Sequence, residues 1–146
     1  MSTESNKQIV RRLIKAHVRD DAAQVKEILS PRLVWHTGGE TLGRDDYLAG
    51  LEMGARAFSD KAIDVVSMIA EDDRVAVYQD VRMRHTGDFQ GIARSGRTIA
   101  FAGAWFYRIA DDRIVEAWHI DEDVMGKLRE AAQPGKEREA APVGGA

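Results

Sequence analysis

The two halves of this chain carry different hydrophobic periodicities, and that division limits the folds it can adopt. Up to about residue 58, apolar residues recur every three or four positions, which predicts amphipathic helices. From about residue 62 onward, apolar and polar residues alternate over long segments, which predicts half-buried β-strands. This order favours an α+β domain, in which the N-terminal helices pack on the concave face of a curved antiparallel sheet. Such a sheet, closed by helices, makes a cone with an internal cavity, where small ligands bind.

The first half contains three predicted helices and one short strand. Helical spacing covers residues 5–18, and Ser5 or Asn6 is a candidate N-cap. A second short helix follows Asp20 and Asp21 and ends at Pro31, residues 33–36 form a strand, and a third helix opens near residue 44 and closes near residue 58.

The second half reads as a series of strands with a helix at its end. Strands are predicted over residues 62–70, 74–85, 98–109 and 113–123, and a short helix over residues 124–132. The final segment, residues 133–146, holds two of the three prolines among glycine, charged residues and alanine. We therefore predict a single folded domain over residues 1–132 and a disordered tail over residues 133–146.

Composition excludes several classes of function. The chain has no cysteine, which rules out disulfides, thiolate catalysis and cysteine-ligated zinc. A net charge of −3 provides no electrostatic footprint for nucleic acid or for an anionic membrane. The N-terminus lacks the basic start and apolar core of a signal peptide, and no apolar run approaches the ~20 residues that span a bilayer. A cytoplasmic protein without nucleic-acid or membrane partners is the expectation.

The last strand combines apolar, aromatic and ionisable residues. Side chains alternate between the two faces of a strand. One face is therefore expected to carry Val115, Ala117, His119, Asp121 and Asp123, and the other Ile114, Glu116, Trp118, Ile120 and Glu122. A face that runs from small apolar residues to an imidazole and a carboxylate is typical of a pocket wall that ends in acid/base groups.

Several motifs in the second half resemble a known family. Residues 85–91 have the pattern His-x-Gly-x-Phe-x-Gly, a Ser-Gly-Arg turn follows at residues 95–97, and residues 114–118 read Ile-Val-Glu-Ala-Trp. This series resembles the SnoaL-like polyketide cyclase family of the nuclear-transport-factor-two-like superfamily, over about residues 5–130. The resemblance implies a cone-shaped α+β barrel, a homodimer paired through the sheet, and a cofactor-free pocket for an extended substrate. It also implies ring closure by intramolecular aldol condensation, with an aspartate acid/base on the last strand.

Two ways of aligning the family pattern with this sequence place the acid/base at different residues. Counting from Ile114 along the family pattern places it at His119, whereas counting back from residues 123–126 places it at Ile120. Asp121 shares a face with His119. We therefore expect Asp121 and His119 to be catalytic, because a carboxylate or an imidazole can remove the acidic proton of a β-dicarbonyl compound.

Other residues are candidates for substrate contact. The developing enolate needs hydrogen-bond donors, for which Gln79, Tyr78 and His36 have suitable groups. The expected apolar walls of the site are Trp35, Trp105, Trp118 and Met53. No His-x-His or His-x3-His spacing, phosphate loop or nucleophile elbow occurs, so no metal site and no cofactor are expected.

Structural roles compete with these assignments. Asp121 lies beside two other carboxylates at a strand end, where one of them would cap the next helix. His85 would organise its turn, and His17 would complement the dipole at a helix C-terminus. Trp118 could equally be structural. The alternative functions are a non-catalytic small-molecule-binding or assembly domain of the same fold, or a cofactor-free hydroxylase, hydratase or isomerase that uses the same cavity.

Overall fold

The computed structural model describes residues 2–133, and the predicted disordered tail lies outside these residues apart from Gln133. Its helices are α1 (Thr3–Val18), α2 (Ala22–Ile28), α3 (Arg44–Ala57) and α4 (Val124–Ala132). Its strands are β1 (Leu29–Thr37), β2 (Glu40–Leu42), β3 (Phe58–Glu71), β4 (Arg74–His85), β5 (Thr98–Ala110) and β6 (Arg113–Asp121). The α+β class is confirmed.

The six strands form one curved sheet in the order β2-β1-β6-β5-β4-β3, which is not closed into a barrel. The hairpins β3–β4, β4–β5 and β5–β6 are antiparallel, as expected. The pair β1–β6 is parallel, so the prediction of an antiparallel sheet was wrong for this one pair of strands. Parallel strands need a long crossover, and here the connection contains most of the chain.

Local capping explains where the helices begin. The side chain of Ser2 accepts a hydrogen bond from the backbone of Ser5, so α1 starts earlier than the caps predicted at Ser5 or Asn6. Asp21 caps α2 as predicted, and Asp123 caps α4 by accepting from the backbone N–H of Gly126.

The helices pack on the concave face of the sheet and create two hydrophobic cores. The larger core joins α1 and α2 to the β4–β6 region and includes Leu13, Val25 and Ile114. The smaller core lies at the other end of the sheet, where Leu128 of α4 packs near Phe58. Because the two cores are separate, the space between them can stay open.

A β-bulge changes the side-chain alternation of β6. Arg108 pairs with Glu116, but the next residue of β5, Ile109, pairs with Ile114, so one residue of β6 is skipped. Ile114 and Ala117 are therefore both fully buried on the concave side. The prediction that Ile114 lies on the opposite face from Ala117 was wrong, whereas the alternation holds from Glu116 onward.

Within residues 2–133, none of the helices has both the length and the apolar character that a membrane span requires.

Candidate active site

A cavity of about 330 Å³ lies between the two cores, under the helices and against the concave sheet face. Its walls are mainly aromatic and aliphatic, as is usual for small-molecule sites. The residues that line it are His17, Trp35, Tyr47, Gly50, Leu51, Gly54, Phe58, Lys61, Ile63, Gln79, Val81, Met83, Phe89, Phe101, Trp105, His119 and Asp121.

His119 and Asp121 form an ionisable pair on the sheet wall of this cavity. Their side chains point the same way because they are two residues apart on β6. His119 Nε2 lies 2.9 Å from Asp121 Oδ1. The imidazole stacks on Trp105, with ring centroids 3.6 Å apart and planes within 12°. The stacked ring does not aim an N–H along the line to the carboxylate, so the contact is a close approach without hydrogen-bond geometry.

Neither group has a strong partner elsewhere. Asp121 Oδ1 and His119 Nδ1 are buried and have no hydrogen-bond partner among residues 2–133. Buried polar atoms are normally satisfied, and exceptions concentrate at sites with a ligand or a catalytic role. The Asp121 side chain therefore lines the cavity with no hydrogen-bond donor bound to its Oδ1 among residues 2–133.

Gly103 provides the room that the Asp121 carboxylate occupies. The two residues are directly opposite in the β5–β6 register. A Cβ atom at position 103 would lie 2.1 Å from Asp121 Oδ1 and 3.3 Å from its Cγ. Any larger residue at position 103 would therefore displace the carboxylate from its present place.

The three acidic residues at the end of β6 have three different roles. Asp121 faces the cavity. Glu122 turns back to the sheet, where its Oε1 accepts a hydrogen bond of 2.6 Å from the backbone N–H of Ala102. Asp123 caps α4. The helix cap expected among these carboxylates is thus Asp123, which leaves Asp121 without a capping role.

The helix wall of the cavity carries a second polar pair, made by α1 and α3. His17 Nε2 and the Tyr47 hydroxyl oxygen are 2.7 Å apart. Burial lowers the pKa of His17 to about 4, with help from the nearby charges of Lys61 and His119, while Asp20 opposes this effect. Burial also raises the pKa of Tyr47 far above its usual range. Near neutral pH this pair is therefore an uncharged imidazole beside an intact phenol.

Lys61 adds one cation to the same cavity. It lies near the start of β3, where the pairing with β4 gains one residue between Ser59 and Ala62. The backbone of Asp60 has a φ of 49° at this irregularity. The Lys61 ammonium forms an ion pair with Asp20. This pairing holds the lysine at the cavity wall and leaves little net charge there.

The structure brings together five of the nine predicted site residues. They are His119, Asp121, Trp35, Gln79 and Trp105, and all five line the cavity. The other four do not. His36, Tyr78 and Trp118 lie on the opposite face of the sheet, because each is adjacent in its strand to a residue that faces inward. Met53 is 41% exposed on α3, about a quarter turn away from the cavity-lining Gly54.

The expectation that these four residues contact substrate in the cavity is therefore corrected. His36 instead lies 2.7 Å from the carboxylate of Glu116, which also binds Arg108 at 3.2 Å. The hydrogen bond from His36, followed by the Arg108 contact, lowers the pKa of Glu116. Trp118 stacks on His36 and has the Arg74 guanidinium 5.5 Å from its ring centroid. These contacts form a surface network on the convex side.

Three polar cavity residues were missed from the sequence. His17 lies on the inward face of α1 together with Leu13, so the helical periodicity did predict that its side chain faces the core. It was missed because its position near the helix C-terminus suggested a purely structural role. Tyr47 was given no functional role from the sequence. Lys61 gave no signal, because its inward direction depends on the irregularity at Asp60.

No cluster of three or more histidine, aspartate or glutamate side chains in the described part of the chain has metal-binding geometry. His85 is fully buried near Phe58, and this burial lowers its pKa, while its backbone contact at Gly87 and the charge of Asp88 oppose the shift.

Comparisons with known proteins identify a family model and solved structures that this chain resembles. The family model for SnoaL-like polyketide cyclase matches residues 7–131. AclR from Streptomyces galilaeus, a proposed hydroxylase, shares 26% identity and superposes with a TM-score of 0.81 over 87% of this chain and 97% of AclR. IdmH from Streptomyces antibioticus, a proposed polyketide cyclase, shares 24% identity with a TM-score of 0.74, over 84% of this chain and 97% of IdmH.

The same fold also occurs in a protein with a different reaction. An LEH-like epoxide hydrolase from M. tuberculosis has a TM-score of 0.69 at 13% identity, over 89% of this chain and 90% of the hydrolase. No curated protein sequence matches the chain at a significant level.

Proposed function

Since this chain belongs to the SnoaL-like polyketide cyclase family, we propose that it is a cofactor-independent enzyme that closes a ring in a polyketide-like carbonyl substrate by an intramolecular aldol reaction. The family and its structural relatives support an enzyme that acts on a small molecule. The reaction itself is inferred from the groups that meet in the cavity.

The observation that carries the proposal is the Asp121–His119 pair on the wall of an apolar cavity, with Asp121 Oδ1 buried and lacking a hydrogen-bond donor. An aldol closure begins when a base removes a proton from a carbon between two carbonyl groups. A carboxylate in an apolar cavity is a suitable base for such an acidic proton. Asp121 takes this proton, and the resulting enolate carbon attacks a second carbonyl group of the same molecule.

His119 and the aromatic walls support this step. When Asp121 accepts the proton, its negative charge moves to the substrate. His119 Nε2 beside it then takes this proton from Asp121 and delivers it to the new alkoxide, so both side chains return to their starting protonation states. Stacking on Trp105 fixes the plane of the imidazole. Gln79, which is buried in the cavity wall, offers amide N–H groups to a substrate oxygen. The net result is one new carbon–carbon bond and one hydroxyl group, with no proton gained or lost.

We also propose that the protein forms a homodimer through the convex face of the sheet. Three large apolar side chains on neighbouring strands are exposed there, Tyr78 at 48%, Phe106 at 53% and Ile120 at 74%. An exposed apolar patch of this kind on one face marks an interaction surface. A second copy of the chain is the partner that the resemblance to the family favours.

Turnover of a polycyclic β-keto ester tests the proposed reaction, with product mass and chromatography as readouts. We expect Asp121→Asn and His119→Gln each to lower turnover by about 100-fold or more, since general acid/base groups contribute at least that much. Asp80→Asn is the matched control, because the Asp80 side chain lies on the convex face. Loss of turnover in the control, or its retention in Asp121→Asn, would contradict the assignment.

The likeness to AclR favours one alternative, a cofactor-free hydroxylation in the same cavity. The two reactions differ in product mass and in their need for oxygen. Ring closure leaves the mass of the ester unchanged and proceeds without O₂, whereas hydroxylation adds one oxygen atom and stops under anaerobic conditions.

A further inference from the structure

The helix wall of the cavity holds a polar pair for which the proposed aldol reaction has so far assigned no role. Tyr47 is buried on α3 and lines the cavity, and its hydroxyl oxygen lies 2.7 Å from Nε2 of His17 on α1. We propose that Tyr47 contacts the substrate and donates its phenolic O–H to the carbonyl oxygen that becomes an oxyanion, and that His17 positions it. This inference rests on the proposed function, and it assigns the electrophilic side of the same reaction.

Aromatic contacts fix the Tyr47 ring. It packs against Trp35 with ring centroids 4.9 Å apart, and against Trp105 at 6.0 Å. Trp105 in turn stacks on His119. The phenol is therefore held on the helix wall of the cavity, whereas the acid/base pair lies on its sheet wall. A substrate in the cavity lies between a base on the sheet and a donor on the helices.

The protonation states suit a donor role. His17 is uncharged near neutral pH because burial lowers its pKa, and burial raises the pKa of Tyr47, so the phenol keeps its proton. A neutral imidazole has one N–H and one lone pair. When His17 Nε2–H donates to the phenol oxygen, the phenol O–H is free to point into the cavity. Donation from an imidazole also strengthens the phenol as a donor, since linked hydrogen bonds polarise one another.

The other donors of the cavity are placed less well for this task. Gln79 lies on β4, on the same sheet wall as the base. The Lys61 ammonium is committed to Asp20. A donor opposite the base is what an aldol closure requires, because the attacked carbonyl group faces the enolate carbon. Preorganised donors of this kind stabilise developing negative charge where water is excluded.

Binding of two isosteric probes tests this inference without any turnover. The probes are 9-fluorenone and fluorene, two rigid tricyclic molecules that differ only in carrying a carbonyl group or a methylene group in the central ring. Trp35 and Trp105 line the cavity, so quenching of tryptophan fluorescence reports binding. We expect the wild type to bind fluorenone about three- to tenfold more tightly than fluorene, the range that one neutral hydrogen bond provides.

The variants isolate the phenol and its positioning residue. Tyr47→Phe keeps the ring and should reduce the fluorenone-to-fluorene preference to about one. His17→Leu should do the same, and combining it with Tyr47→Phe should cause no further loss. His17→Gln should retain the preference, because the amide can still donate to the phenol. Tyr78→Phe is the matched control, since Tyr78 is an exposed tyrosine on the convex face.

The outcomes separate this inference from the proposed reaction. An unchanged preference in Tyr47→Phe, or no preference in the wild type, overturns the donor role of Tyr47. A preference that Tyr47→Phe removes supports the role, even if the wild type leaves a β-keto ester unchanged. In that last case the proposed aldol reaction fails, while the carbonyl-binding role of Tyr47 stands.

Discussion

His17 should make the stability of this protein depend on pH in the mildly acidic range. In the folded protein burial holds its pKa at about 4, whereas an unperturbed histidine titrates near 6.5. Below pH 6.5 the unfolded chain therefore binds a proton at this position that the folded protein does not. Stability must fall as the pH falls through this window, and the loss levels off below pH 4.

The size of this effect follows from the separation of the two pKa values. Each pKa unit corresponds to about 1.4 kcal/mol. Integrating the linkage relation for one site gives a loss of about 2 kcal/mol at pH 5 and about 3 kcal/mol at pH 4, relative to pH 7.5. This is a large share of the total stability of an ordinary domain, which is on the order of 5–15 kcal/mol.

Urea unfolding of the wild type and of His17→Gln between pH 7.5 and 4 measures this contribution. Glutamine keeps a donor for Tyr47 but does not titrate. The difference in unfolding free energy between the two proteins should change by about 3 kcal/mol over this range. His85 and Glu116 have lowered pKa values too, but both remain in the variant and cancel in the difference. Parallel curves for the two proteins would refute a lowered pKa of His17 in the folded protein.

Three further substitutions test other features. Gly103→Ala places a methyl group 2.1 Å from the present position of Asp121 Oδ1. Turnover should therefore fall on the order of 100-fold while the melting temperature changes little, and unchanged turnover would contradict the role of Asp121. Gly87→Ala places a Cβ 2.3 Å from the backbone oxygen of Arg56, so urea unfolding should show a destabilisation of about 1–3 kcal/mol, and an unaffected midpoint would contradict this packing. Phe106→Asp puts a charge on the convex face, so light scattering should show a monomer where the wild type is a dimer, and an intact dimer would exclude this interface.

The parts of the fold that depend on local pattern could be predicted from the sequence. Alternation located β4 and β5 nearly to the residue, and helical spacing located α1 and α4. The same alternation placed His119 and Asp121 on one face, and both line the cavity. The same alternation puts Tyr78 and Gln79 on opposite faces of β4, although both had been expected to donate to one enolate.

Other features depend on contacts that no local pattern contains. Ile114 faces inward because of a bulge near Val115, and Lys61 faces inward because of the irregularity at Asp60. The parallel pairing of β1 with β6 joins segments about 80 residues apart, such as Trp35 and Ala117, and nothing in either segment specifies its partner. The sequence could therefore identify about half of the site residues, but it could not predict that the helix wall and the sheet wall of the cavity face each other.

The position of β6 has a consequence for the order in which the chain can assemble. This strand is the last of the sheet to be synthesised, yet it lies between β1 and β5. Until β6 is present, no strand links β1 and β2 to the rest of the sheet, and one edge of β5 has no partner. Long-range pairing of this kind slows folding and exposes unpaired strand edges. On the ribosome, the nascent chain should therefore gain a protease-resistant sheet only after residue 121 has emerged, in the same step that delivers His119 and Asp121 to the cavity.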